Sequence, residues 1–185
     1  MLILASRSPR RQEILTRAGI PHLVRPPEVD ESIRKGEDAE RYVKRVARAK
    51  AEAVAAGPED VVLGADTVVV VDGEILGKPA DAGEARSMLG RLAGRVHAVT
   101  TGICLLGPGG AIEEAETTQV RFLPLSATEM DAYVASGEPL GKAGAYAIQG
   151  LASKFIDRVE GCYFNVVGLP MARVYGHLRR GAAGG

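Results

Sequence analysis

The segment from Val61 to Val71 constrains the fold most. It reads Val-Val-Leu-Gly-Ala-Asp-Thr-Val-Val-Val-Val. A run so rich in β-branched residues, with no helical spacing, is a strand long enough to be central in a sheet. Asp72-Gly73 is a two-residue hairpin signal, and Glu74 to Leu76 returns beside the strand. Asp66 stands inside this run where a valine is expected. A carboxylate there needs hydrogen bonds, a cation or a metal ion to stay charged. It is either a structural acid bonded to Thr67 or to local amides, or the acid of a reaction. Gly64 allows another backbone or a ligand to come close.

The preceding segment favours the reactive reading. Asp38 to Ala56 is expected as one helix, ended by Gly57-Pro58. Val43, Val46, Ala47 and Val54 recur at helical spacing and mark its buried face. Lys50 falls on that face, where an ammonium is costly unless it snorkels to an edge or meets an anion. With Asp66 following so soon, a cleft-facing Lys50 is the reading carried forward.

A second basic cluster opens the chain. Leu2 to Ala5 is a short buried strand, Ser8 offers an N-cap oxygen, and Pro9 fits the first helical position. Ile14, Leu15 and Ala18 form the inner stripe of the helix, and Gly19 stops it. Arg10 and Arg11 then occupy the first turn, where each cation is disfavoured by about 0.3–1 kcal/mol. Arginines, an N-cap serine and open amides together suit a phosphate. Pro21 to Val24 is a second strand. The acidic segment Glu28 to Glu31 is either a solvated loop or a source of metal ligands.

Further along, Asp81 caps a helix to Leu92, with Met88, Leu89 and Leu92 inward. Arg95–Leu106 and Ala111–Leu123 are two long strands joined at Gly107 to Gly110. Thr128–Ser136 is a short helix, Phe155–Val159 a strand, and Pro170 starts a last helix through Leu178. Gly73 to Lys78 and Gly137 to Lys142 have three residues between their glycines where a P-loop needs four, and neither lysine precedes Ser or Thr. Lys78 and Lys142 remain turn lysines that could reach a phosphate as mobile point charges. Gln149, between Ile148 and Gly150, offers the donor and the acceptor that a base edge requires. With no repeat or linker, residues 1–180 read as one mixed α/β domain and 181–185 as a disordered tail.

The formal charge is zero, so the net field attracts neither nucleic acid nor an anionic membrane, and any anion must be held locally. No stretch approaches the roughly 18 apolar residues of a membrane span, and Arg7 interrupts the N-terminal apolar run before a signal-peptide core could form. Cys104 and Cys162 lie far apart without a CxxC, as in a reduced cytosolic protein, and the three histidines lack zinc-ligand spacing.

Five segments, in order, resemble the Maf family of nucleoside triphosphate pyrophosphatases. They are Leu4 to Arg11, Gly64 to Val69, Gly77-Lys78-Pro79, Ala143 to Gly150, and Gly161 to Pro170. The resemblance implies a two-lobed Maf/ITPase-like fold, with a central mixed sheet flanked by helices and the site in an interlobe cleft. It implies hydrolysis of a nucleoside triphosphate to monophosphate and pyrophosphate, a divalent cation (Mg²⁺ or Mn²⁺), a cytoplasmic location and often a homodimer. Tyr146, Ile148, Gln149 and Gly150 are similar to the branch acting on dTTP and UTP. By this resemblance Asp66 is the proton acceptor, Lys50 and Lys78 are cleft lysines, and Arg11, Thr67 and Gln149 set base preference. Gly141 stands where the family commonly has Asp before the lysine; if that Asp serves the metal in the family, the resemblance implies that its role passes here to Glu31 or Asp66. The rival readings are a nucleotide-binding regulator of cell division without turnover and a kinase-like phosphoryl transferase.

Overall fold

The computed structural model describes residues 1–182. Its elements are β1 (Leu2–Ala5), α1 (Pro9–Arg17), β2 (His22–Val24), α2 (Ala39–Glu52), β3 (Val61–Val71), β4 (Glu74–Leu76), α3 (Ala82–Leu92), β5 (Val96–Gly107), β6 (Gly110–Phe122), α4 (Ala127–Ala135), β7 (Ile156–Glu160), α5 (Tyr163–Val167) and α6 (Met171–Ala182). Two short 3₁₀ turns, Ala143–Ala145 and Leu151–Phe155, lie between α4 and β7. The strands form one seven-stranded mixed sheet in the order β2-β1-β3-β5-β6-β7, with β4 also on β3. β1 runs parallel to both β2 and β3, whereas β4 and β7 are antiparallel to their neighbours. The fold is mixed α/β, as the patterning predicts.

Local chemistry explains most boundaries. β3 has the predicted limits, and its turn holds Asp72 at φ 53° and Gly73 at φ 76°, the left-handed pair of a type I′ hairpin. Asp38 and Asp81 cap α2 and α3 by accepting from Arg41 N and Glu84 N. Ser126 and Glu129 close a reciprocal capping box on α4, which therefore starts at Ala127.

Several expectations are corrected. Ser8 occupies the N-cap position of α1, but its side chain makes no cap bond; its own N–H instead donates to Ser6 Oγ. Ala18 is the exposed C-cap of α1, and the third member of the buried stripe is Arg11, at i−3 and i−4 from Ile14 and Leu15. α2 stops at Glu52 rather than Ala56, and Arg25 donates to the carbonyl of Ala55 in the unwound stretch. β7 starts one residue late because the second 3₁₀ turn consumes Phe155. The last helix runs on through Gly181 and Ala182; residues 183–185 of the expected tail lie outside the described residues.

The chain divides into two compact units. One is Met1–Asp66 with Thr101–Glu116 and the chain from Gly168 onward; the other is Thr67–Thr100 with Thr117–Val167. In the first, α2 lies directly on the sheet. A Cβ on Gly64 of β3 would stand 2.0 Å from Ala47 O, and one on Gly102 of β5 would stand 2.4 Å from the Val43 carbonyl carbon. Only glycine permits that backbone-to-backbone approach. The core of the second unit is aromatic, built around Phe122, Tyr133, Tyr146 and Phe155. Phe122 and Tyr146 meet edge to face at 4.8 Å.

Candidate active site

In the first unit the register between α2 and β3 assembles the charges. Gly64 and Asp66 are two apart and share a strand face, while Ala47 and Lys50 are three apart and share a helix face. Seating Ala47 on Gly64 therefore sets Lys50 against Asp66. Lys50 Nζ donates to Asp66 Oδ1 at 2.7 Å, with both residues 6% exposed. Glu31 Oε1 reaches the same ammonium at 2.8 Å from the loop before α2.

That loop is held in place. Tyr42 Oη donates to Glu31 O at 2.8 Å, and Arg45 binds Ser32 O while pairing with both oxygens of Glu37. The hydrogen bonds from Arg45 hold the Glu37 carboxyl well below its usual range, at about 2. Burial first, then the charges of Asp66 and Glu31, push the Tyr42 phenol above its ordinary value.

Arg11 completes the cluster from α1. Its guanidinium is buried and donates to Gly168 O (2.7 Å), Ala65 O (2.9 Å) and Ser6 Oγ (3.3 Å). Burial lowers its pKa, an effect opposed by Asp66, reinforced by Arg10 and opposed again by Glu31. Two carboxylates and two cations thus share one site: Asp66, Lys50 and Arg11 are buried and paired, and Glu31 reaches Lys50 from the exposed side. Arg11 grips the residue before Asp66, while Arg10 and Ser8 are half-buried at the start of α1.

The structure brings Asp66, Lys50, Glu31 and Arg11 together in the first unit, which also holds Ser8 and Arg10, whereas Thr67, Lys78, Lys142 and Gln149 belong to the second. Thr67 follows Asp66 on β3. Lys78 follows Gly77, whose carbonyl accepts from Gly144 N at 3.0 Å. Lys142 and Gln149 lie on one glycine-rich loop, where Lys142 Nζ donates to Glu138 O at 3.0 Å and Gln149 is exposed. Lys142 is thus tied to its own loop.

Sequence reasoning missed four residues that shape these sites. Ser6 accepts from Arg11, and Gly102 seats α2. Glu138 and Tyr133 hold the loop that carries Gln149. The spacing of Arg11, Ile14 and Leu15 already signalled a buried arginine, whereas an acid between Gly137 and Pro139 carries no periodic signal.

Asp66 and Glu31 present hard oxygen donors converging on one cationic position, which is the chemistry Mg²⁺ or Mn²⁺ requires. Among the described residues no group of three or more His, Cys, Asp or Glu gathers as a complete metal cage. The two carboxylates fit a hard divalent cation as partial donors, in number too few to cage it alone.

The family described as Maf-like protein matches residues 1–181. The chain is a Maf-family protein. Relatives of this Maf-family chain include the dTTP/UTP pyrophosphatase of Koribacter versatilis, 52% identical over 97% of this chain and 93% of its own length. Those of Anaeromyxobacter sp. and Symbiobacterium thermophilum, which carry the same name, are 53% and 54% identical. They cover 97% and 93% of this chain, and 88% and 89% of their own lengths. Among solved structures the Maf-family chain is similar to a nucleoside-triphosphatase / dITP/XTP pyrophosphatase from Mycobacterium abscessus. That likeness has TM-score 0.42 and 17% identity, over 68% of this chain and 76% of that one. The Staphylococcus aureus Ham1 protein gives TM-score 0.46 and 17% identity, over 65% and 71%. No helix among the described residues is long and apolar enough to cross a membrane.

Proposed function

We propose that this chain hydrolyses dTTP and UTP to the monophosphate and pyrophosphate. The observation that carries the reading is the likeness, at about half identity over nearly the whole chain, to relatives named for that activity. The charge cluster around Asp66 supplies chemistry that suits it.

Asp66 and Glu31 would hold a divalent cation, which when bound would supply positive charge to offset that of the phosphates. Asp66 accepts a proton from the water that attacks the α-phosphorus in line. Lys50, with Nζ already between two carboxylates, is placed to meet negative charge developing on the phosphates. Ser8 and Arg10, at the start of α1, bind the phosphate chain, and Lys78 adds a further cation for the leaving pyrophosphate. Arg11 orients Asp66 through Ala65 O. Gln149 donates to O4 and accepts from N3–H of uracil or thymine, leaving position 5 open to a methyl group. Cytosine presents the opposite pattern and is disfavoured by about 1–3 kcal/mol. The reading includes work on the cytoplasmic nucleotide pool and assembly as a homodimer.

The test is a pyrophosphate-release assay over dTTP, UTP, CTP and GTP, with Mn²⁺ or with chelator, for the wild type and Asp66→Asn. Pyrophosphate from dTTP and UTP that is lost in Asp66→Asn and in chelator is the expected result. Binding of dTTP with no pyrophosphate released would leave a non-catalytic regulator, and transfer of the γ-phosphate would leave a phosphoryl transferase.

A further inference from the structure

The second unit holds Gln149 in a bracket of hydrogen bonds. Ala147 N donates to Tyr133 Oη at 3.3 Å, and that hydroxyl donates to Glu138 Oε1 at 2.8 Å. The other oxygen, Glu138 Oε2, accepts from Leu151 N at 3.0 Å. One carboxylate thus fixes the backbone on both sides of the Ile148-Gln149-Gly150 segment. The approach is close enough that a Cβ on Gly150 would stand 2.3 Å from Glu138 Oε2. The bracket is itself rigid: Tyr133 is 3% exposed and meets the Phe155 ring edge to face at 5.6 Å. Burial raises the Glu138 pKa, but bonds from Leu151, Tyr133 and Ala152 and the charge of Lys142 outweigh it, so the carboxyl titrates below its ordinary value.

We infer that Glu138, acting with Tyr133, is a positioning residue for base selection, holding the Gln149 amide in the one orientation that distinguishes uracil and thymine from cytosine. The inference rests on the reading of Gln149 as the base-contacting residue. Gln149 is exposed while Ile148 beside it packs against the aromatic core; with the loop anchored there, the two flanking amides bonded to Tyr133 and Glu138 set how Gln149 is presented. A base-reading group must be held to within a fraction of an ångström to discriminate.

Selectivity, as the ratio of kcat/KM for UTP to that for CTP, is measured for Glu138→Ala, Glu138→Gln, Tyr133→Phe and Gln149→Ala, and for Glu138→Ala combined with Gln149→Ala. Melting temperature is followed in parallel. Glu138→Ala and Tyr133→Phe are expected to lower selectivity about tenfold, through a higher KM for UTP with kcat little changed. Glu138→Gln, which keeps one acceptor for Leu151 N, restores part of it. In the Gln149→Ala background, removing Glu138 costs no further selectivity, the non-additivity of residues acting as a unit. If Gln149→Ala abolishes selectivity while the Glu138 and Tyr133 variants keep it, the positioning role is overturned and the base reading stands. An equal loss of kcat on all nucleotides would also overturn the positioning role. If Gln149→Ala keeps full selectivity, the base reading fails and the inference falls with it. Should Glu138→Ala not fold, Tyr133→Phe, which removes one hydroxyl and leaves the ring in place, decides the matter alone.

Discussion

Replacing Gly64 by alanine probes the geometry on which the site depends. The added Cβ would lie 2.0 Å from Ala47 O and 2.9 Å from Ala51 N, where ordinary contact begins at 3.4 Å. Both obstacles are backbone atoms of α2, so no side chain can swing aside. The helix has to retreat by more than about 1 Å. Lys50, one turn beyond Ala47, moves with it, and its 2.7 Å bond to Asp66 is stretched past hydrogen-bonding distance. Displacement of about 1 Å at a catalytic group costs on the order of 10²-fold in rate. Overpacking costs about 1–3 kcal/mol, a fall in Tm of roughly 2–12 °C for a chain of this length. The assay is pyrophosphate release from dTTP together with thermal unfolding. Gly90→Ala is the control: Gly90 is exposed and helical in α3 with nothing within 4 Å, so it should gain roughly 0.5–1 kcal/mol and keep full activity. A Gly64→Ala protein with the wild-type kcat/KM and Tm would refute the claim that backbone contact sets the Lys50–Asp66 register.

Lys50→Met should destabilise the fold by about 3–5 kcal/mol and abolish turnover, because it leaves Asp66 buried beside Glu31 without its cation. Adding Asp66→Asn to it should return part of the stability and none of the activity; a urea midpoint no higher in the double variant would count against the pairing. His97 gives a pH signature: it is 2% exposed, its Nδ1 has no hydrogen-bond partner among the described residues, and burial lowers its pKa from 6.5 to about 4. A folded-state pKa below the unfolded one means that His97's contribution is complete above pH 6.5 and lost as pH falls towards 4. The loss is about 3 kcal/mol. Urea unfolding at pH 7, 5.5 and 4.5 should show this slope in the wild type and not in His97→Phe.

The sequence made the scaffold legible wherever a local rule and the tertiary environment agree. β3 kept its predicted limits because a β-branched run and an Asp-Gly turn both act locally. The Lys50–Asp66 pair was readable for the same reason, since helical spacing placed Lys50 inward and a strand interior placed Asp66 inward. What stayed hidden depends on partners distant in the chain. Arg11 was read as facing a phosphate, and the structure shows it occupied by acceptors 5, 54 and 157 residues away. α5 has only five residues and no periodicity to detect. Glu138 carries no signal in the sequence because its partners, Tyr133 and Leu151, sit at no regular offset from it.

The three acceptors of Arg11 also bear on how the protein is made. Ala65 O lies 54 residues from Arg11 along the chain and Gly168 O 157 residues from it. During translation the guanidinium cannot have all its acceptors until Gly168 has been added, roughly 5–20 s after Asp66 at about 5–20 residues per second. Burying an arginine that lacks its acceptors is unfavourable, so the nascent segment is kept from closing early. Asp66 and the guanidinium that grips its neighbour therefore reach their final geometry only once the segment carrying Gly168 has joined the fold.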